Sequence, residues 1–126
     1  MSRRVSVSLD NLAMGLKKAE GLLFVEENQL VLELQQVDAI LEIFKDEVKT
    51  YRIGLEEIDS VSLTKKWFRH FLVINGKRMK AMQDIPGSAH AQLKLHVKRN
   101  DVDDARRLVS AVQLTISEQK LRELDQ

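Results

Sequence analysis

The residues of this 126-residue chain best suited to binding chemistry are basic and crowd into one stretch. They run Lys65-Lys66-Trp67-Phe68-Arg69-His70 and then Lys77-Arg78-Met79-Lys80, and no acid lies between Asp59 and Asp84. Cations gathered without local carboxylates attract phosphates, at roughly 1 kcal/mol per side chain near an anionic membrane. Trp67 can add an amphipathic anchor at a lipid interface or a platform on which a base stacks. Asn75-Gly76 fits a type I′ turn, which needs positive φ at both central positions. A hairpin folded there brings Lys77 and Lys80 beside Arg69 and the Lys65–Lys66 pair, so the candidate anion site is Lys65, Lys66, Trp67, Arg69, Lys77, Arg78 and Lys80. The plainer alternative buries Trp67 and Phe71 and leaves the lysines as a solvated strand face, neutralised by glutamates of the first half.

A second candidate is the run Ala39-Ile40-Leu41-Glu42-Ile43-Phe44, too apolar for a solvent loop and without clean alternation. Core packing accounts for it simply. The sharper alternative makes Ile40, Leu41, Ile43 and Phe44 an exposed apolar interface for self-association or membrane contact.

Other chemistries find little footing. The three histidines, His70, His90 and His96, show no metal-ligand spacing, and His96 alternates with Lys94 and Lys98, a poor neighbourhood for a cation. The carboxylate pairs Glu26-Glu27 and Glu56-Glu57 are sequence neighbours, which a strand points to opposite faces. Gly76-Lys77-Arg78 lacks the upstream glycine and the Ser/Thr of a phosphate-binding loop. There is no cysteine, which excludes disulfides and thiolate chemistry and fits a reducing compartment. The expectation is a protein without catalytic site, metal or cofactor, cytoplasmic, since no stretch approaches a membrane span or a secretory leader.

The formal net charge of +1 conceals a segregation. Residues 1–59 carry −5, residues 60–100 carry +8 and residues 101–126 carry −2. If the basic block folds against the acidic one, the surface is bland; if strand order sets it apart, the molecule has a basic face.

Several elements must position these residues. Leu9, Leu12, Ala13, Leu16 and Ala19 follow helical spacing after Ser8, so the first 19 residues read as an arm and a short amphipathic helix ended by Gly21. Residues 20–126 then form one domain. Period-two alternation predicts strands at 22–26, 30–36, 48–55, 58–63, 67–74, 77–82 and 92–99. From Asp101, a good N-cap, the period becomes 3.6: Val102, Ala105, Leu108, Val109 and Val112 make an apolar stripe, extended by Ile116, Leu121 and Leu124.

Seven strands followed by one amphipathic helix, together with Gly21-Leu22-Leu23, the phrase from Tyr51 to Val61, and Leu93-Lys94-Leu95-His96-Val97 leading into Ala105-Arg106-Arg107-Leu108, resembles the pleckstrin-homology-like superfold. Within it, the chain resembles the small bacterial PH-like (GRAM-like) proteins. The resemblance covers about residues 20–124 and implies a strongly bent seven-stranded antiparallel barrel capped at one end by the C-terminal helix. It implies binding without catalysis. PH domains that read phosphoinositides usually carry their basic cluster in the first strand–strand loop, which here is Glu26-Glu27-Asn28 and acidic. The leading expectation is therefore a non-catalytic binding or scaffolding domain with a protein partner or its own copies. Binding to an anionic membrane through the 65–80 hairpin comes next, and single-stranded nucleic acid last.

Overall fold

The computed structural model describes residues 4–12, 16–38 and 47–125. They form a seven-stranded antiparallel sheet and one C-terminal helix. The strands are β1 (Val5–Leu12), β2 (Lys17–Glu26), β3 (Gln29–Asp38), β4 (Lys49–Gly54), β5 (Ile58–Lys66), β6 (Arg69–Gly76) and β7 (Gln92–Val97). Helix α1 spans Val102–Leu124. The sheet order is β4-β3-β2-β1-β7-β6-β5, so β1 joins the first four strands to the last three and β4 and β5 are the edges.

Alternation decides which face is buried. Val5, Val7 and Leu9 on β1, Leu30, Leu32 and Leu34 on β3, Leu72 and Ile74 on β6, and Leu93, Leu95 and Val97 on β7 all point into one core. The apolar stripe of α1, Ala105, Leu108, Val112 and Ile116, packs onto this face against β5, β6 and the 3-10 turn Leu55–Glu57. Met82 and Ile85, from the long link between β6 and β7, are buried in the same core. Asp101 stands at the N-cap position, but its carboxylate accepts the Ser6 backbone N–H at 2.7 Å rather than capping the helix. That bond ties the start of α1 to the central strand.

Four expectations are corrected. Residues 5–12 are the central strand of the sheet, and residues 17–26 its neighbour, where an arm and a helix over 9–19 were expected. Val5, Val7 and Leu9 alternate with Ser6, Ser8 and Asp10, and this period-two pattern, rewarded by pairing on both sides, overrides the looser i, i+3/i+4 match. The division expected at residue 19 accordingly falls inside β2. Second, residues 77–82 are not a strand; a 3-10 turn occupies Met79–Ala81. The count of seven is met with β1 in its place. Third, Asn75-Gly76 is no turn. Both residues belong to β6, where Asn75 donates to Ser60 Oγ (3.1 Å), accepts from Gln92 (3.0 Å), and the Gly76 N–H reaches the Ala91 carbonyl. Fourth, the sheet is open rather than a closed barrel. β4 and β5 are joined through the 3-10 turn, where Leu55 is buried in the core, and no pairing between them closes the sheet among the described residues.

The type I′ geometry occurs instead at Glu27-Asn28, both at positive φ, closing the β2–β3 hairpin.

Candidate functional site

β5 and β6 pair from Ile58↔Gly76 to Lys66↔Arg69, so their hairpin turns at Trp67-Phe68. His70 is level with Val97, the last residue of β7. The Lys66–Arg69 rung and the two turn residues therefore project beyond the neighbouring strand, by roughly 7 Å at ~3.3 Å per residue. Trp67 is 82% exposed and Phe68 93% exposed. Two adjacent, fully displayed aromatic rings at a projecting tip are unusual for a soluble surface, which normally scatters its exposed apolar side chains. The alternative that buried Trp67 is overturned.

Trp67 carries a further mark. Its φ is +60°, the left-handed region that favours glycine, and it occupies the first position of a two-residue hairpin loop. A bulky side chain there costs of order 1 kcal/mol. Burial does not repay this cost.

The cations divide into two groups. Lys65, Lys66 and Arg69 flank the tip, whereas Lys77, Arg78 and Lys80 follow the other end of β6. Eight residues of strand separate them, about 25 Å at ~3.3 Å per residue. The sevenfold cluster expected from the sequence is thus split by the strand that was to unite it. Arg78 is paired with Glu57 at 2.7 Å, and Arg69 with Asp10 at 2.8 Å. Lys65 and Lys66 have no ion-pair partner among the described residues, so their charge stays available at the tip. Arg69 also lies over the Phe71 ring, 5.2 Å from its centroid, with Lys94 at 4.4 Å. Ile40, Leu41, Ile43 and Phe44 lie outside the described residues.

His96 stands on the sheet face that carries Phe71, with ring centroids 5.6 Å apart and Nδ1 3.3 Å from Ser8 Oγ. Burial holds its imidazole below the usual histidine range; Arg69, His70 and Lys98 reinforce this, and Asp10 opposes it. Among the described residues no group of three His, Cys, Asp or Glu side chains is arranged to hold a metal ion. No helix among them is long and apolar enough to cross a membrane.

One feature gave no sequence signal. A groove of about 690 Å³ opens between α1 and the β2–β3 turn. Phe24, Leu55, Leu108 and Val112 line it, with Arg4, Glu26 and Glu27 also contributing to its walls. Arg4 is committed there, stacked 4.3 Å from the Phe24 centroid and bonded to Glu33 at 3.0 Å. Residues from four separate segments compose it, and only the tertiary fold brings them together.

No protein-family model, curated protein or solved structure matches the chain.

Proposed function

We propose that the protein is a non-catalytic binding module that docks on anionic membrane surfaces through the β5–β6 hairpin tip. The single observation that carries this reading is the tip itself: Trp67 and Phe68 displayed side by side, at a strained turn, between Lys65, Lys66 and Arg69. An indole at the headgroup boundary keeps its ring in an apolar layer and its N–H in a polar one. The flanking ammonium groups meet lipid phosphates, and their long stems let the charge reach outward while the rings insert. The strand order, with a C-terminal helix on the core face, supports the PH-like reading of the scaffold. The acidic Glu26-Glu27 turn sets the proposed contact apart from the first-loop headgroup site usual in phosphoinositide-binding PH domains.

The test is co-sedimentation with vesicles of phosphatidylcholine alone or with one-fifth phosphatidylserine. Binding is expected only to the anionic vesicles. It should fall steeply as salt is raised toward ~1 M, where the screening length shrinks to about 3 Å. Lys65→Gln with Lys66→Gln should weaken it by roughly 30-fold, the equivalent of ~2 kcal/mol. Equally poor binding to both vesicle types at low salt would exclude the reading.

A second reading, self-association, rests on charge complementarity. The basic aromatic tip of one copy matches the groove of another, which has Glu26 and Glu27 in its walls. Such a head-to-tail contact is heterologous, so mass should grow with concentration rather than stop at a dimer unless a ring closes. Light scattering on the vesicle-free samples separates the two readings, because a monomer at every concentration leaves only the membrane.

A further inference from the structure

Behind the hairpin tip, around the end of β7 and the start of α1, two clefts adjoin. The first, about 320 Å³, is lined by Lys65, Phe68, His70, His96, Val97 and Arg99. The second, about 440 Å³, lies between β5 and α1 and shares Lys65 and His70 with the first, adding Arg106. Register explains the meeting. Lys65 pairs with His70 and His70 with Val97, so the three occupy one row and one face of the sheet. The chain then leaves β7, places Arg99 beside that row and enters α1, which brings Arg106 back over β5. Among the described residues no Asp or Glu lines either cleft. Lys65 and Arg99 have no ion-pair partner among the described residues, and Arg106 is held only by exposed Asp103, at 3.1 Å.

Resting on the membrane reading above, we propose that these clefts form one site for a phosphomonoester headgroup, gripped between Lys65, His70, Arg99 and Arg106. The donor set argues for that class. Two guanidinium forks, an ammonium and an imidazole N–H offer more charge-assisted hydrogen bonds than a carboxylate or a phosphodiester has oxygens to accept. A terminal phosphate presents three strong acceptor oxygens and a charge of about −1.5 to −2. Depth argues for it too. Phe68 belongs to both the tip and the first cleft, so a ring set at the boundary of the acyl layer puts the cleft among the headgroups. The tip then supplies attachment and the cleft supplies selectivity.

Vesicles with phosphatidic acid, whose headgroup is a phosphomonoester, are compared with phosphatidylserine vesicles matched for surface charge. The full chain should prefer phosphatidic acid by at least ~10-fold, as expected for two or more added charge-assisted bonds. Arg99→Gln with Arg106→Gln should erase the preference, with phosphatidylserine binding falling by no more than the ~30-fold expected for two lost surface charges. Equal binding to matched vesicles, or a preference that survives the double substitution, overturns the site while the membrane reading stands. A separate arm titrates inorganic phosphate against chloride at equal ionic strength and follows the amide resonances of Lys65, His70, Arg99 and Arg106. Shifts with phosphate alone, in a chain that binds no vesicle, retain the site for a soluble phosphomonoester and dismiss the membrane as its source. No shift and no vesicle preference together dismiss the site.

Discussion

Replacing Trp67 by glycine and Phe68 by serine is expected to cut partition onto anionic vesicles by roughly 30- to 150-fold, while the protein melts no lower than before. Each aromatic side chain offers about 150–250 Å² for burial, and half of that from two rings is worth about 5 kcal/mol at ~25 cal/mol/Å². Partial insertion and the cost of ordering the tip leave about 2–3 kcal/mol, which is the fold-change stated. The thermal half of the expectation comes from the backbone. Glycine at residue 67 relaxes a φ of +60°. The relief of ~1 kcal/mol raises the midpoint by about 3–5 °C in a domain of this size. Gain of stability with loss of binding is the signature of a residue kept for contact. A midpoint lowered by more than ~5 °C would mean that the tip supports the fold instead.

The second large effect concerns Gly21, and here stability alone is at stake. Gly21 lies on the core face of β2, paired with Val7 on one side and Leu34 on the other. A Cβ placed there would overlap the Glu33 carbonyl oxygen and press on the Leu34 Cα. Both belong to the backbone of a strand fixed by its own ladder, so neither can yield cheaply. Gly21→Val is expected to cost about 3–5 kcal/mol, a large share of the ~5–15 kcal/mol that holds a domain together. Gly21→Ala should be nearly as severe, because the first added carbon already collides. Gly54→Ala is the control. Its new carbon meets only the carboxylate end of the Glu56 side chain, which is exposed and free to swing away. That change should cost less than ~1 kcal/mol in a urea titration. Similar midpoints for the two alanine variants would contradict the packing described.

The contrast between these glycines was not legible in the sequence, because it depends on how closely β3 crosses β2. Other features were. Leu30, Leu32 and Leu34, and likewise Leu93, Leu95 and Val97, announce strands by alternation, and the α1 stripe announces its buried face. The same arithmetic carries the hairpin tip. Val61 and Leu63 mirror Leu72 and Ile74 about a midpoint between residues 67 and 68, where the turn lies. Asn75-Gly76 obscured it, since a strong turn dipeptide drew the hairpin eight residues too far along. Tertiary pairing won there: β6 has partners on both sides, and Asn75 spends its side chain across them. β1 was hidden for the opposite reason. Ser6 and Ser8 made its alternation look like a polar arm, yet Ser8 is buried and faces His96 across the β1–β7 pair.

Four of the seven residues expected to cluster lie together in the fold, for a physical reason. Lys65, Lys66, Trp67 and Arg69 are neighbours in sequence, and any turn among them keeps them together. Lys77, Arg78 and Lys80 depended on the turn being at Asn75-Gly76, and they left with it. In the proposed site Arg99, His70 and Arg106 take their place, brought there by register and by the return of α1 over β5, neither of which a one-dimensional pattern contains. The sequence-level charge segregation is also resolved in part. β5 is an edge strand at the opposite end of the strand order from β4, and Arg69–Asp10 ties the basic hairpin to the acidic first half.

Trp67 is the only tryptophan in the chain and sits at the centre of the proposed contact, so its emission reports on the central claim directly. In buffer the indole is exposed and should emit as a solvated ring does. On adding vesicles with one-fifth phosphatidylserine the maximum should move to the blue, and high salt should return it. Phosphatidylcholine alone should leave it in place. An emission maximum unmoved by anionic vesicles at low salt, under conditions where the protein co-sediments with them, would show that another surface makes the contact and would contradict the account.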